Sequence, residues 1–278
     1  MKKPVEILAD LFNNKFCTAS SMPSVMLFCA HPDDEVLGSA SLLCYLRDKL
    51  KIVTITDGAP KKMDDAIAAG FFSREAYSKA RYQEQSNAMF SAGITESQCY
   101  HLGFTDQQSS FHMGAICHKI LELIQINRPD IVLTHPFEGG HPDHDTTAFA
   151  VWAAVTLMKK RNENVPEIIE YACYNGNGSS EPVYFQFIPF PEIPVWSVEL
   201  DQNQVENKRK LMKYYVSQWK TLSSFPVSVE RYRKMPAYNF KKPPHHGVLY
   251  YEFFDWGMSA RLWNQLAIET INLIRINN

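Results

Sequence analysis

Residues 25–30 form a short, unbroken apolar run with the length and composition of a buried strand, and 51–56, 98–102 and 130–134 read as further short strands. Helix-like stretches separate or follow them at 34–49, 73–91, 114–127 and 143–160. Gly93 stands just past the second stretch as a helix stop, and Asp57-Gly58 ends the second strand. Strands alternating with helices predict a mostly parallel sheet with right-handed crossovers and helices on both faces, a Rossmann-like α/β fold. After residue 160 the style changes. Residues 170–188 and 196–199 read as extended and aromatic, 201–222 as one amphipathic helix, 223–247 as a loop rich in proline and basic residues, and 259–276 as a terminal helix. With no internal repeat and no linker, the expectation is one domain over 1–278: a core at 1–160 and a C-terminal strand/helix elaboration at 161–278.

Composition narrows the class. The chain has 278 residues, 45% hydrophobic and 21% charged, enough to bury a substantial core. A net charge of −2 gives no case for nucleic-acid binding. The longest apolar stretch, 148–158, falls well short of the roughly 20 residues that a membrane helix needs. Lys2 and Lys3 are followed by Glu6, Asp10, Asn13 and Asn14, which does not read as a signal peptide. Cys17, Cys29, Cys44, Cys99, Cys117 and Cys173 are scattered, with no C-x-x-C pair. They predict a reduced, cytoplasmic protein without a disulfide framework or a thiolate metal site.

Two polar clusters carry the candidate chemistry. Ala30-His31-Pro32-Asp33-Asp34-Glu35 follows the first strand, and His141-Pro142-Asp143-His144-Asp145 follows the loop that leaves the fourth. In an open α/β sheet, ligands bind outside the carboxyl ends of the strands, where strand order reverses. A 3-2-1-4 order makes strands one and four neighbours and brings the clusters face to face. Two histidines and a carboxylate form a common zinc set with an open position for water, and such a set also suits ferrous iron. His31 and Asp34 are spaced for one helical turn to aim at one ion, with His144 as third ligand. Asp33 is then placed to act as a general base. His141 is placed to stabilise an oxyanion or protonate a leaving amine, and Asp143 to hold its ring and raise its pKa. Acidic residues in a first helical turn also suit the helix dipole, but that accounts for one cluster and not for two on neighbouring strands.

The pair A-H-P-D-D-E at 30–35 and H-P-D-H at 141–144 resembles the PIG-L/LmbE family of metal-dependent N-acetylglucosaminyl deacetylases, over roughly residues 24–160. The resemblance implies an LmbE-like fold and one divalent metal, zinc first and ferrous iron second. It implies His31, Asp34 and His144 as ligands, Asp33 as general base, His141 as oxyanion stabiliser or acid, and Asp143 as the residue that orients it. Thr56-Asp57-Gly58 is similar to the family's turn after strand two. Arg81, with Glu84, Ala88 and Gly93, resembles its helix whose arginine contacts substrate, and Asp106 in Leu102–Asp106 the aspartate that binds sugar hydroxyls. Residues 210–218 resemble a later family helix. Some members carry a tyrosine just before the second motif. Here that loop reads His135-Pro136-Phe137-Glu138-Gly139-Gly140, and Tyr174 or Tyr184 is a candidate replacement.

The implied partner is a small amino-sugar substrate, with homo-oligomers frequent in the family. Three readings stand: an N-acetylglucosaminyl deacetylase, an amidase acting on a thiol conjugate or other N-acyl amino sugar, and a non-catalytic, metal-containing glycan-binding module. The ten Lys and Arg residues of 201–242, against three acids, are either an anion-attracting surface or a solvated face. The aromatic stretch 250–256 reads as core rather than as a sugar platform.

Overall fold

A computed structural model describes residues 4–12 and 22–276. In chain order its elements are α1 (Pro4–Phe12), β1 (Val25–Cys29), α2 (Asp34–Leu46), β2 (Leu50–Pro60), α3 (Asp64–Ala68), α4 (Arg74–Ser91), β3 (Cys99–Asp106), α5 (Met113–Asn127), β4 (Ile131–Thr134), α6 (Pro142–Lys160), β5 (Glu167–Tyr171), β6 (Tyr174–Asn175), β7 (Val183–Tyr184), β8 (Val195–Glu199), α7 (Gln202–Met212), α8 (Trp219–Leu222), β9 (Val229–Lys234) and α9 (Ala260–Leu273). The main sheet runs β3-β2-β1-β4-β5-β9-β8. Its first five strands are parallel, and β9 and β8 extend it antiparallel. This is the α/β class that the alternation predicts.

β1 is apolar at every position because both faces of the sheet are covered. Val25, Leu27 and Cys29 join a core with α2, α4 and α7 residues such as Leu43, Met89 and Leu211. Met26 and Phe28 join a second core with Ile116 of α5, Phe149 of α6 and Trp263 of α9. Each such side chain, fully buried, contributes about 1.5–3 kcal/mol. Chain order reverses between β1 and β4, which pair directly (Leu27 opposite Leu133), so their carboxyl ends open into one crevice.

The region after 160 is woven into this sheet and both cores, and it differs from the sequence reading in several places. β2 continues past Asp57-Gly58 to Pro60, with register irregularities against β3. The expected single helix at 201–222 stops at Met212. There the chain turns so that the buried Tyr215 hydroxyl donates to Glu35 and the Ser217 N–H to Glu84. The expected loop at 223–247 contains β9, an internal strand. Its charged sequence hides this because its charges are paired inside: Lys208 with Glu230, and Arg233 with Glu138 and Glu170, all buried. The basic segment is therefore not one solvated surface. α1 and α3 had no counterpart in the sequence reading.

Among the described residues no helix is long and apolar enough to cross a membrane. Cys29, Cys44, Cys99, Cys117 and Cys173 are free thiols. Cys17, Asn13 and Asn14 lie outside the described residues, as do Lys2 and Lys3.

Candidate active site

The β1–α2 turn and the β4–α6 loop meet at the crevice. Ala30 is fixed by Thr56 of β2, whose N–H and Oγ1 both donate to its carbonyl. Asp33, just before α2, has φ of 138°, a region that L side chains rarely adopt. Such strain costs of order 1–3 kcal/mol and persists where surrounding contacts over-determine it. Here Arg81 supplies them, donating to the Pro32 and Gly58 carbonyls (both 2.8 Å) and to Asp33 Oδ2 (3.1 Å). Gly58 has φ of 63°, and a Cβ there would lie 2.9 Å from the Arg81 guanidinium carbon. Across the crevice His141 caps α6, its Nδ1 accepting the Asp143 N–H (3.1 Å), and Pro142 opens the helix. That bond assigns the imidazole proton to Nε2.

Three donors converge. His144 Nε2 lies 3.3 Å from His31 Nδ1 and 3.4 Å from Asp34 Oδ1, and His31 Nδ1 lies 3.5 Å from Asp34 Oδ2. Ligands about 2.0–2.1 Å from a tetrahedral ion are separated by about 3.3–3.4 Å, close to these spacings, with the two Asp34 edges running from its two carboxylate oxygens. Other close donor sets are His31–His141–His144, His31–Asp106–His141–Asp143 and Asp34–His144–Cys173. We favour the first triad because in it His31 Nδ1 is the inward atom and Nε2 is engaged outward. Nε2 lies 3.1 Å from Asp106 Oδ1 and 3.3 Å from Asp143 Oδ2, the carboxylate–histidine arrangement that orients a metal-binding imidazole. Asp143 is itself held by the Gln107 and Ser109 N–H groups (2.6 and 3.2 Å). Behind the triad, His135 stacks on His144 (3.8 Å between centroids), and its Nε2 lies 3.2 Å from Asp34 Oδ2 and 2.8 Å from the Tyr171 hydroxyl.

Burial and neighbouring charges move the groups of the site in opposite directions. Burial pulls His144 down to about 3, with neighbouring His135 adding to the effect. Burial likewise pulls His141 down to about 3, helped by His31 and against Asp143. Burial alone would raise Asp34, but the charges of His144 and His135 hold it well below the ordinary carboxylate range. Burial also opposes charge on His31, and Asp106, Asp143 and Asp34 reverse that and hold it well above its ordinary value. Asp33 is pushed up by burial against the pull of Arg81.

The site residues read from sequence thus come together, with three differences in their contacts. Asp143 touches His141 through its backbone N–H, its carboxylate lying 3.9 Å from Nδ1 and turning to His31 instead. The Asp143 effect expected to raise the His141 pKa is outweighed by burial. Arg81 and Asp106, expected on substrate, border the cavity but are engaged with Asp33 and His31. Tyr171 and Ser109 carry supporting roles that sequence reasoning missed, and His135 and Glu35, singled out only as members of their motifs, support the site by backing His144 and Asp34 and by accepting from Tyr215. Only the density of buried-type polar residues at 134–147 hinted at them. The cavity, about 630 Å³, is bordered by both motifs and by Tyr174, Tyr184, Tyr250, Phe254 and Trp256. Tyr174 packs 5.2 Å from the His144 ring, and Tyr184 bonds Ser224 at the far side.

Residues 26–155 match the family described as PIG-L, GlcNAc-PI de-N-acetylase. That match covers a little under half of the chain. It is 32% identical over 148 residues to a Bacillus subtilis (strain 168) protein named "Probable N-acetyl-alpha-D-glucosaminyl L-malate deacetylase 2", covering 52% of this chain and 65% of that one. The chain therefore matches somewhat under two thirds of that relative's length. Its fold resembles that of the A40926 pseudoaglycone deacetylase Dbv21 (TM-score 0.58, 19% identity, 78% of this chain and 98% of the other). It also resembles the N,N'-diacetylchitobiose deacetylase of Pyrococcus horikoshii (TM-score 0.57, 18% identity, 84% and 91%). At these identities the likeness is one of fold.

Proposed function

We propose that the chain is a divalent-metal-dependent hydrolase that removes the acetyl group from an N-acetylglucosamine-type amino sugar or its conjugate. The observation that carries this reading is the triad of His31 Nδ1, Asp34 and His144 Nε2 at the spacing of a metal face, with Asp33 and His141 on the same cavity. Those three side chains would hold the ion, zinc or ferrous iron. A divalent ion bound there supplies Lewis-acid polarisation and brings the pKa of water to about 7. Asp33 takes a proton from the attacking water and later delivers it to the departing amine. Its burial raises its basicity, and Arg81 fixes its direction. Neutral His141, carrying its proton on Nε2, donates to the developing oxyanion. Asp106 and Asp143 hold the His31 ring, so we assign them positioning roles.

An amidase acting on another N-acyl amino sugar would use the same groups. A binding module would have no use for the strained Asp33 held against Arg81. The test is acetate release from a panel of N-acetylglucosamine conjugates, run before and after chelation, with zinc or ferrous iron added back. Release that follows the metal supports the reading. No release from any conjugate by protein with ion demonstrably bound overturns it.

A further inference from the structure

An aromatic wall leads away from the triad. The ring of Tyr174 lies 5.2 Å from His144 and 5.8 Å from Tyr250. Tyr250 lies 5.0 Å from Phe254, which stacks on Trp256 at 4.5 Å and 12°. Trp256 closes the path 4.6 Å from His141. All four aromatics border the cavity, and Phe254 is 39% exposed, so three residues of the stretch expected to be core, Tyr250, Phe254 and Trp256, form a wall, while Tyr251 is core as expected. Ala68, Ala69 and Val216 add further apolar lining.

The charge in the cavity points the same way. Its lining acids are Asp33, Asp34, Asp65 and Asp106, whereas its lining Lys and Arg residues are only Arg81 and Lys220. Arg81 is committed to Asp33 and two carbonyls, and Lys220 is an exposed residue. A compact dianion finds little to bind here, whereas a ring with an apolar face finds a matching surface. Tyr174, Tyr250, Phe254 and Trp256 all lie beyond the family-matched residues 26–155.

Resting on the deacetylase reading, we infer that this wall is a ring-binding subsite, and that the group attached to the amino sugar is a ring with an apolar face, aryl or a second pyranose, rather than a small dicarboxylate. The shared domain supplies the chemistry, and the segments after it select the attached group.

The test compares kcat/KM for three N-acetylglucosamine conjugates, carrying at C1 an aryl group, a second pyranose or malate. The wild-type protein is compared with Phe254→Ala and Phe254→Tyr, changes at a half-exposed ring outside the catalytic set. Ring-bearing conjugates are expected to be preferred at least tenfold. The alanine variant should lose about tenfold of that preference, chiefly through KM, and the tyrosine variant should regain it. The aryl and pyranose arms show which kind of ring is the better fit. Equal or better turnover of the malate conjugate overturns the inference, as does an equal loss on all three. A separate arm measures calorimetric binding of the aryl glucosaminide, the de-N-acetylated product. If no conjugate releases acetate the deacetylase reading fails, and this arm then decides the subsite: weaker binding by Phe254→Ala upholds it, and unchanged or absent binding removes it.

Discussion

Replacing Glu170 by glutamine should flatten the pH dependence of stability. Glu170 sits opposite Arg233 in the β5–β9 pairing. Its Oε2 accepts from Arg233 Nε (2.7 Å) and the Tyr238 hydroxyl (3.0 Å), while Oε1 is buried without a hydrogen-bond partner. The same guanidinium serves Glu138, which also accepts from the Ile188 N–H and Asn175 Nδ2. One cation thus faces two buried carboxylates. Burial outweighs the pull of Arg233 and raises Glu170 to about 8 and Glu138 to about 7, from an ordinary 4.5. The folded state therefore keeps the Glu170 proton to higher pH than the unfolded chain does. The associated stability is complete below about pH 4.5 and is lost as pH rises towards 8. Between pH 5 and 8 the loss from Glu170 is about 4 kcal/mol. Glu138 adds a smaller fall of the same sign, ending near pH 7. Urea unfolding of wild type and Glu170→Gln at pH 5, 6, 7, 8 and 9 reads the term, and because Arg233 then serves Glu138 alone, the Glu138 fall shrinks in the variant with the same sign. The variant should lose about 4 kcal/mol less than wild type across pH 5–8. Parallel curves would refute the assignment of the shared proton to this pair.

Other outcomes follow from named contacts. Lys208→Met strands the fully buried Glu230 and should cost about 3–5 kcal/mol in urea unfolding, with Lys208→Met/Glu230→Gln recovering part of it. At Gly140 a Cβ would lie 2.1 Å from the Tyr174 carbonyl oxygen. Gly140→Ala should therefore cost about 1–3 kcal/mol and displace the neighbouring His141, seen as a loss of acetate release larger than the stability change explains. Asp33→Asn should lower kcat about 10²–10⁴-fold while metal content, measured by elemental analysis, stays at the wild-type level. A variant with near-normal turnover would remove Asp33 from the role of base.

The strand–helix alternation was legible because the sheet is covered on both faces, which makes β1 apolar throughout and gives β2 and β4 apolar stretches at Ile52-Val53 and Ile131–Leu133. The convergence of His31 and His144 was legible because the common 3-2-1-4 strand order makes β1 and β4 neighbours. β9 was not legible, because Glu230 and Arg233 are satisfied by Lys208, Glu138 and Glu170, partners far away in sequence. Nor was the swing of the Asp143 carboxylate from His141 to His31, which depends on N–H groups of Gln107 and Ser109 in another loop. The Tyr250–Trp256 wall has the composition of core, and only its place at the cavity separates it from core.

The central claim is that one ion on the His31–Asp34–His144 face drives amide hydrolysis. Its most direct test is a titration of chelated protein with zinc or ferrous iron, reading acetate release and bound metal together. The account predicts release that rises with bound metal to a break at one equivalent, and neither tight metal binding nor release in His144→Ala. Release that survives chelation, or full metal binding and release in His144→Ala, would contradict it.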